Sequence, residues 1–122
     1  EEGSNWEALM TAAKQELGNL VVIVDRNHLQ QGATTEETTG LASVSDKLAA
    51  FGCEVRHVDG HDYLQLLAAL GGDSTDRRQP LAVVAHTVKG HPVSFMSNNV
   101  SWHHRVPSSD EVRIALAELE GR

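Results

Sequence analysis

The stretch LVVIVDRNHLQQG, residues 20–32, contains the change from apolar to polar residues on which the fold prediction rests. Its first five residues are apolar and mostly β-branched, which is typical of a parallel β-strand covered on both faces. The run ends abruptly in Asp25, Arg26 and Asn27. Because ligands of parallel α/β sheets bind at the carboxyl ends of the strands, we predict a buried strand followed by a ligand-binding loop at 25–35.

Helices and strands are predicted to alternate along the rest of the chain. Two further strands are expected at 54–58 and 81–87, and the helices are expected at 4–18, around 44–51 before Gly52, at 61–71 and at 108–121. Ser4 with Glu7 and Ser108 with Glu111 have the spacing of capping boxes, and Asp62 is a candidate cap. This order predicts an α/β fold with a parallel sheet flanked by helices, in a single domain covering residues 1–122.

Two segments are predicted to be loops. Asp73–Gln79 is the most loop-like stretch, and VKGHPVSFMSNNVSWHHRVP (88–107) follows the last strand with no predicted helix or strand. A loop of that length is usually functional or disordered. Its apolar and aromatic residues, which include Phe95 and Trp102, argue against disorder.

Composition excludes some classes of function. The formal net charge is −7, with acidic residues spread along the sequence, which argues against a nucleic-acid-binding surface. The single cysteine, Cys53, cannot form an internal disulfide, which fits a reducing cytoplasm. No signal peptide is recognisable, and no apolar run approaches the roughly 20 residues needed to span a membrane. We therefore expect a cytoplasmic protein that binds neither nucleic acid nor membranes.

Four segments, in order along nearly the whole chain, resemble transketolase. They are EGSNWEA (2–8), IVDRNHLQ (23–30), AFGCEVRHVDGHD (50–62) and HTVKGHPVSFMSNNVSWHHRVP (86–107). The resemblance is strongest to the N-terminal subunit of transketolases that are split into two chains. It implies a doubly wound domain that binds the diphosphate of thiamine diphosphate through a divalent metal, and of which this chain would be the C-terminal portion.

The resemblance assigns the metal ligands to the loop after the first strand. It makes the side chain of Asn27 and the main-chain carbonyl of Leu29 ligands of Mg²⁺ or Ca²⁺, ions that prefer hard oxygen donors. The alternative is that Asn27 is only a turn residue, since asparagine tolerates the left-handed conformation. The Gly-Asp-Gly motif, whose Asp is the anionic ligand in the family, is absent from this sequence. The resemblance would place that Asp about five residues before Glu2, and without it metal affinity should drop sharply.

The resemblance also assigns three other residues. It places Glu2 near the cofactor and the subunit interface, in a carboxylate network, whereas the alternative is a solvated acid favoured by the helix dipole. It makes His104 the first candidate, and His103 the second, for the histidine that faces the thiazolium and donor substrate and assists proton transfer. The alternative is that one histidine packs beneath the loop beside Trp102 while the other is solvated.

The implied activity is transfer of a two-carbon ketol unit between sugar phosphates. A partner should be required, either a transketolase C-terminal subunit or another pyrimidine-binding domain, in a hetero- or homo-oligomer. We expect the isolated chain to expose an apolar patch and to be marginally stable or self-associating. Two alternatives remain: a truncated, non-catalytic interaction domain, and a subunit of another thiamine-diphosphate enzyme such as a deoxyxylulose-phosphate synthase.

Overall fold

The computed structural model describes residues 2–71 and 76–121. The chain divides into two compact units, one formed by Glu1–Arg26 with Leu41–Thr87 and the other by Asn27–Gly40 with Val88–Arg122. Of the predicted loop Asp73–Gln79, the part 73–75 lies outside the described residues. The assignment of residues 1–122 to a single domain stays a prediction.

Helices and strands alternate in the first unit, as predicted. Its elements are α1 (Gly3–Lys14), β1 (Val21–Arg26), α3 (Val44–Ala50), β4 (Glu54–Asp59), α4 (Tyr63–Leu70) and β5 (Leu81–His86). The elements of the second unit are β2 (Leu29–Gln30), β3 (Ala33–Thr34), α2 (Thr35–Thr38), a 3₁₀-helix (Val100–His103) and α5 (Ser109–Glu120). None of the described helices is long and apolar enough to cross a membrane.

The sheet of the first unit is parallel, and in the described part of the chain it has the strand order β1-β5-β4. The central strand β5 is apolar and almost completely buried from Leu81 to Ala85. Its alternate residues face opposite sides of the sheet, so Val84 packs with Leu9 and Leu48 in one core cluster and Val83 packs with Ala69 in another. This architecture confirms the predicted α/β sheet flanked by helices.

The prediction that the first strand is covered on both faces is wrong. Within the described residues β1 pairs on one side only, with β5, so it is an edge strand. Ile23 in its centre is 56% exposed, and Leu20 just before it is 36% exposed. Within the described residues, continuous burial is found in β5, the central strand, which has a neighbouring strand on each side.

The helix boundaries agree with the predicted caps except in α1. Asp62 caps α4, and the capping box of Ser108 with Glu111 precedes α5. The predicted box of Ser4 with Glu7 is wrong, because α1 begins at Gly3 and its cap position is Glu2, which makes no side-chain cap hydrogen bond. The helix also ends at Lys14 rather than near Gly18, because Glu16 is left-handed (φ 53°) and Leu17 N–H donates to the carbonyl of Ala12.

Candidate functional site

The carboxyl ends of β1 and β5 lie side by side, because the two strands are parallel neighbours in which Arg26 pairs with His86. The Thr87 hydroxyl donates to the Asp25 carboxylate across this end of the sheet. Asp25 and Arg26 are therefore strand residues, and the loop predicted at 25–35 begins instead at Asn27. The two polar segments of interest follow directly, at Asn27 after β1 and at Val88 after β5.

Asn27 orders the loop that follows β1. Its side chain is half-buried, and Oδ1 accepts a hydrogen bond of 2.9 Å from the backbone N–H of Leu29. The left-handed residue of this turn is His28 (φ 62°), and Asn27 has no positive φ. Asn27 is therefore not present to adopt a left-handed conformation, and that alternative is wrong. It acts in the turn through its side chain, which accepts the hydrogen bond from Leu29.

The segment after Leu29 folds into a small structure that the sequence did not predict. Leu29 pairs with Thr34 in the β2–β3 hairpin, and the N–H of the buried Thr35 donates to the His28 carbonyl at 2.9 Å. Thr34 and Glu37 form a reciprocal capping box at the start of α2. The hydrogen bonds from the Thr34 side chain and backbone lower the pKa of Glu37. The signal was present in the sequence as Thr-Thr-Glu-Glu at 34–37, which has capping-box spacing.

The loop contains two oxygens of the kind that divalent ions prefer, the Asn27 amide oxygen and the Leu29 carbonyl oxygen. An amide oxygen has two lone pairs, and the Leu29 N–H occupies one of those on Asn27. The other lone pair and the Leu29 carbonyl fit the donor set that Mg²⁺ and Ca²⁺ prefer. Among residues 2–71 and 76–121, no group of three or more histidine, cysteine or acidic side chains could hold a metal. These two oxygens therefore fit part of a metal site.

The predicted histidine pair lies in the loop after β5, around the short 3₁₀-helix. His103 ends this helix, His104 follows it as its cap, and their rings meet edge to face with centroids 4.5 Å apart. Both side chains are exposed. Trp102 instead packs on Phe95, with its indole N–H donating to the Phe95 carbonyl at 3.0 Å, while the Arg105 guanidinium lies 4.4 Å above the indole ring. The alternative in which one histidine is packed beneath the loop is therefore wrong.

Two polar contacts attach this loop to α5. Glu118 accepts hydrogen bonds from the backbone N–H and the hydroxyl of Ser94, at 2.6 and 2.5 Å. Arg105 forms an ion pair with Glu111. The pKa of Glu111 is lowered, mainly by the backbone hydrogen bond from Ser108, with Arg105 contributing. The loop that was predicted to be ordered is thus held at both its middle and its end.

An open groove of about 650 Å³ lies between the two chain segments that form the second unit. Its walls come from the hairpin region and from the residues just before the 3₁₀-helix, namely Leu29, Gly32, Ala33, Thr34, Glu37, Asn98, Asn99 and Val100. Neither Asn27 nor the histidine pair lines it. The structure therefore brings Asn27 and Leu29 into one turn, and the roles predicted for His104 and His103 stay predictions.

Glu2 lies in the first unit, at the cap position of α1. It is exposed, its backbone is extended (φ −95°, ψ 133°), and its side chain makes no cap hydrogen bond. The position is compatible with a carboxylate favoured by the helix dipole. Its predicted interface role stays a prediction.

The sequence model of the transketolase thiamine diphosphate binding domain matches residues 1–119 of this chain. The chain belongs to this transketolase family. The fold agrees with that assignment: the crystal structure of transketolase from Campylobacter jejuni superimposes with a TM-score of 0.75 over 98% of this chain and 23% of that one, at 19% sequence identity. This likeness confirms the predicted thiamine-diphosphate-binding fold.

Curated members of the transketolase family are similar to nearly the whole chain. An apulose-4-phosphate transketolase subunit from Actinobacillus succinogenes is 40% identical over 98% of this chain and 43% of its own length. The 6-deoxy-6-sulfo-D-fructose transketolase subunit SqwG of a Clostridium species is 31% identical over 98% of this chain and 44% of its own length. The chain thus spans less than half of the length of these relatives.

Proposed function

We propose that this chain is the diphosphate-binding part of a transketolase-type enzyme that transfers a two-carbon ketol unit between sugar phosphates. The observation that carries the proposal is the match of residues 1–119 to a family defined by thiamine diphosphate binding. The relatives that match almost all of this chain bear the names of transketolase subunits, which supports the same reaction class.

Asn27 and Leu29 would hold the divalent ion that binds the cofactor diphosphate, Mg²⁺ or Ca²⁺. The hydrogen bond from Leu29 N–H fixes the Asn27 amide, so the amide needs little reordering to present its oxygen. Two neutral oxygens leave most of the ion's positive charge for the diphosphate. The anionic protein ligand would be the Asp of the family's Gly-Asp-Gly motif.

His104, with His103 as second candidate, would act on the sugar substrate. The bound cofactor supplies the electron sink for breaking and forming the carbon–carbon bond. A histidine can donate a hydrogen bond to a substrate oxygen and move a proton near neutral pH. Both rings are exposed in this chain, so they are accessible to a substrate held against a partner.

A partner chain or domain would complete the site, and Glu2 would lie near that interface. The relatives are named as subunits, which supports a partner such as a transketolase C-terminal subunit or pyrimidine-binding domain. The first unit also exposes large apolar side chains that a partner could cover, including Leu64 at 78% and Leu67 at 67% exposed. The buried free Cys53 is in keeping with our further proposal of a cytoplasmic location.

The proposal is tested by assembling the enzyme and following ketol transfer. The complete subunit containing this chain is purified with a chain that carries the pyrimidine-binding domain, and transfer from a ketose phosphate to an aldose phosphate is measured. We expect turnover that requires both thiamine diphosphate and Mg²⁺.

Two other outcomes would replace the proposal. A stable complex with the partner chain that transfers nothing would identify a non-catalytic interaction domain. Turnover only with a 2-keto acid donor, accompanied by release of carbon dioxide, would identify an enzyme of the deoxyxylulose-phosphate synthase type.

A further inference from the structure

Three polar side chains in the first unit form a chain of hydrogen bonds. The hydroxyl oxygen of Ser45, on α3, lies 2.9 Å from Nε2 of His57, on β4. Nδ1 of His57 lies 2.9 Å from Nε2 of His86, the last residue of β5. A hydroxyl, an imidazole and a third group that orients the imidazole, in this order, are the arrangement that activates a serine as a nucleophile.

Strand register and helix packing bring these side chains together. Val55 and Val84 pack with Leu48 of α3 in one core cluster. His57 and His86 lie two residues further along the same strands. Because alternate residues of a strand share a face of the sheet, both imidazoles lie on the face that α3 covers. The first turn of α3, which carries the serine, therefore meets an imidazole pair whose strands are held by the core.

One arrangement of protons makes His57 a base for Ser45. Nδ1 of His57 must donate to Nε2 of His86, because Nε2 of His57 then has a lone pair that can take the hydroxyl proton. Both rings are exposed, so their protons exchange with water and this arrangement can form. Ser45 is only half-buried, so a small molecule can reach its oxygen from solvent.

We propose that Ser45 is a nucleophile that accepts acyl groups, with His57 as its general base and His86 as the positioning residue that orients His57. The substrate class is small activated esters, whose leaving groups depart with little assistance. The three residues lie apart in sequence from Asn27, Leu29 and the histidine pair at 103–104. The activity is therefore independent of thiamine diphosphate and of the proposed ketol transfer.

The reaction balances without a cofactor. The Ser45 oxygen forms a bond to the carbonyl carbon of the ester while its proton moves to Nε2 of His57. The ester C–O bond breaks, and the departing alcohol takes that proton. Water then attacks the acyl group with His57 again as base, the bond to the serine oxygen breaks, and this oxygen recovers a proton. The net products of ester and water are one carboxylic acid and one alcohol.

The experiment treats the full chain with a fluorophosphonate, a reagent that labels activated serine hydroxyls, and locates the label by peptide mass spectrometry. Hydrolysis of p-nitrophenyl acetate is followed on the same sample, with and without thiamine diphosphate and Mg²⁺. We expect one label per chain, on Ser45, and a hydrolysis rate that does not change when cofactor and metal are omitted.

Variants separate the three roles. Ser45→Ala should remove the label, and His57→Gln should slow labelling about 100-fold, as loss of a general base does. His86→Leu should slow it about tenfold, because it removes the hydrogen bond that orients His57. His86→Gln should restore most of the rate, since its amide oxygen can still accept from Nδ1 of His57. Ser109→Ala, which changes an exposed serine of α5, is the matched control and should leave labelling unchanged.

Each variant is checked by circular dichroism, so that a loss of labelling is not mistaken for a loss of fold. A folded parent chain that takes up no label, or a label that Ser45→Ala does not remove, would overturn the proposal. Hydrolysis of p-nitrophenyl acetate at the parent rate in Ser45→Ala would also overturn it, because exposed imidazoles would then be the nucleophiles. Equal rates in His86→Leu and His86→Gln would refute the positioning role of His86.

Discussion

Replacing Asn27 by alanine tests whether this residue is only a turn residue or also a metal ligand. The substitution removes the 2.9 Å hydrogen bond from the Leu29 N–H to Oδ1, and with it one oxygen donor of the proposed metal site. Both losses weaken cofactor binding, but by different amounts. The prediction therefore depends on how much cofactor affinity is lost when only the hydrogen bond that orders the loop is removed.

The structure limits the loop effect to about tenfold. A neutral hydrogen bond contributes about 0.5–1.5 kcal/mol to stability, and about 1.4 kcal/mol corresponds to a factor of ten in affinity. Outer-shell partners of metal ligands contribute about 10–100-fold to metal affinity, and a direct ligand should contribute at least as much as the upper end of that range. We therefore expect Asn27→Ala to weaken Mg²⁺-dependent binding of thiamine diphosphate by at least about 100-fold, since a direct ligand is removed.

The assay is calorimetric titration of thiamine diphosphate at fixed Mg²⁺ on the assembled enzyme. Asn27→Asp is the matched control, because it keeps an acceptor for Leu29 N–H and an oxygen for the ion; its affinity should stay within about tenfold of the parent. An Asn27→Ala enzyme whose affinity falls by less than tenfold would refute the reasoning and leave Asn27 as a turn residue alone.

Three further expectations concern catalysis, pH and thiol chemistry. His104→Ala should lower turnover about 100-fold with little change in cofactor affinity; a larger loss in His103→Ala would move the role by one residue, and no loss in either would make the pair structural. The pKa values of Glu37 and Glu111 are lowered in the folded chain, so the stability they contribute is present above their unfolded pKa and is lost as the pH falls through the folded values. In urea unfolding measured at several pH values, the free energy of unfolding should fall below about pH 4.5. Replacing both Glu37 and Glu111 by glutamine should make that fall smaller. Burial raises the pKa of the Cys53 thiol, so iodoacetamide should alkylate it much more slowly in folded than in urea-unfolded chain; equal rates would contradict this burial.

Local composition predicted the strands but not their places in the sheet. The runs at 20–24 and 81–85 are both continuously apolar, yet Val83 is fully buried and Ile23 is 56% exposed. The difference arises because β5 lies between two neighbours and β1 has one within the described residues. Which strand is central depends on long-range pairing, and the sequence of a single strand does not contain that information.

Helix starts were predictable where the cap is local. Asp62 and Ser108 cap the residues immediately after them, as their positions in the sequence indicate. Ser4 and Glu7 have the same residue types and spacing as Ser108 and Glu111. However, α1 starts at Gly3, one residue before Ser4, so Ser4 already lies inside the helix. Capping-box spacing therefore does not by itself locate a helix start, because the same residues fit the first turn of a helix.

The candidate site was predictable only where its residues are close in sequence. Asn27 and Leu29 meet through a turn two residues long, which the polar stretch after the first strand indicated. Thr34 and Asn98 both line the groove of the second unit, although they are far apart in the sequence. No local pattern marks such a pair, so only the folded structure identifies it.

This chain should carry one part of a cofactor site that it shares with a partner. The direct measurement is sedimentation of the isolated chain combined with a thiamine diphosphate titration in Mg²⁺ on the same sample, repeated after adding the Gly-Asp-Gly segment and a partner with the pyrimidine-binding domain. Exposed apolar residues such as Leu64 and Ile23 should make the isolated chain self-associate, and it should bind no cofactor. The additions should restore both a defined assembly and cofactor binding. A well-behaved monomer that binds thiamine diphosphate with Mg²⁺ by itself would contradict the account, because the anionic ligand and the partner would then be dispensable.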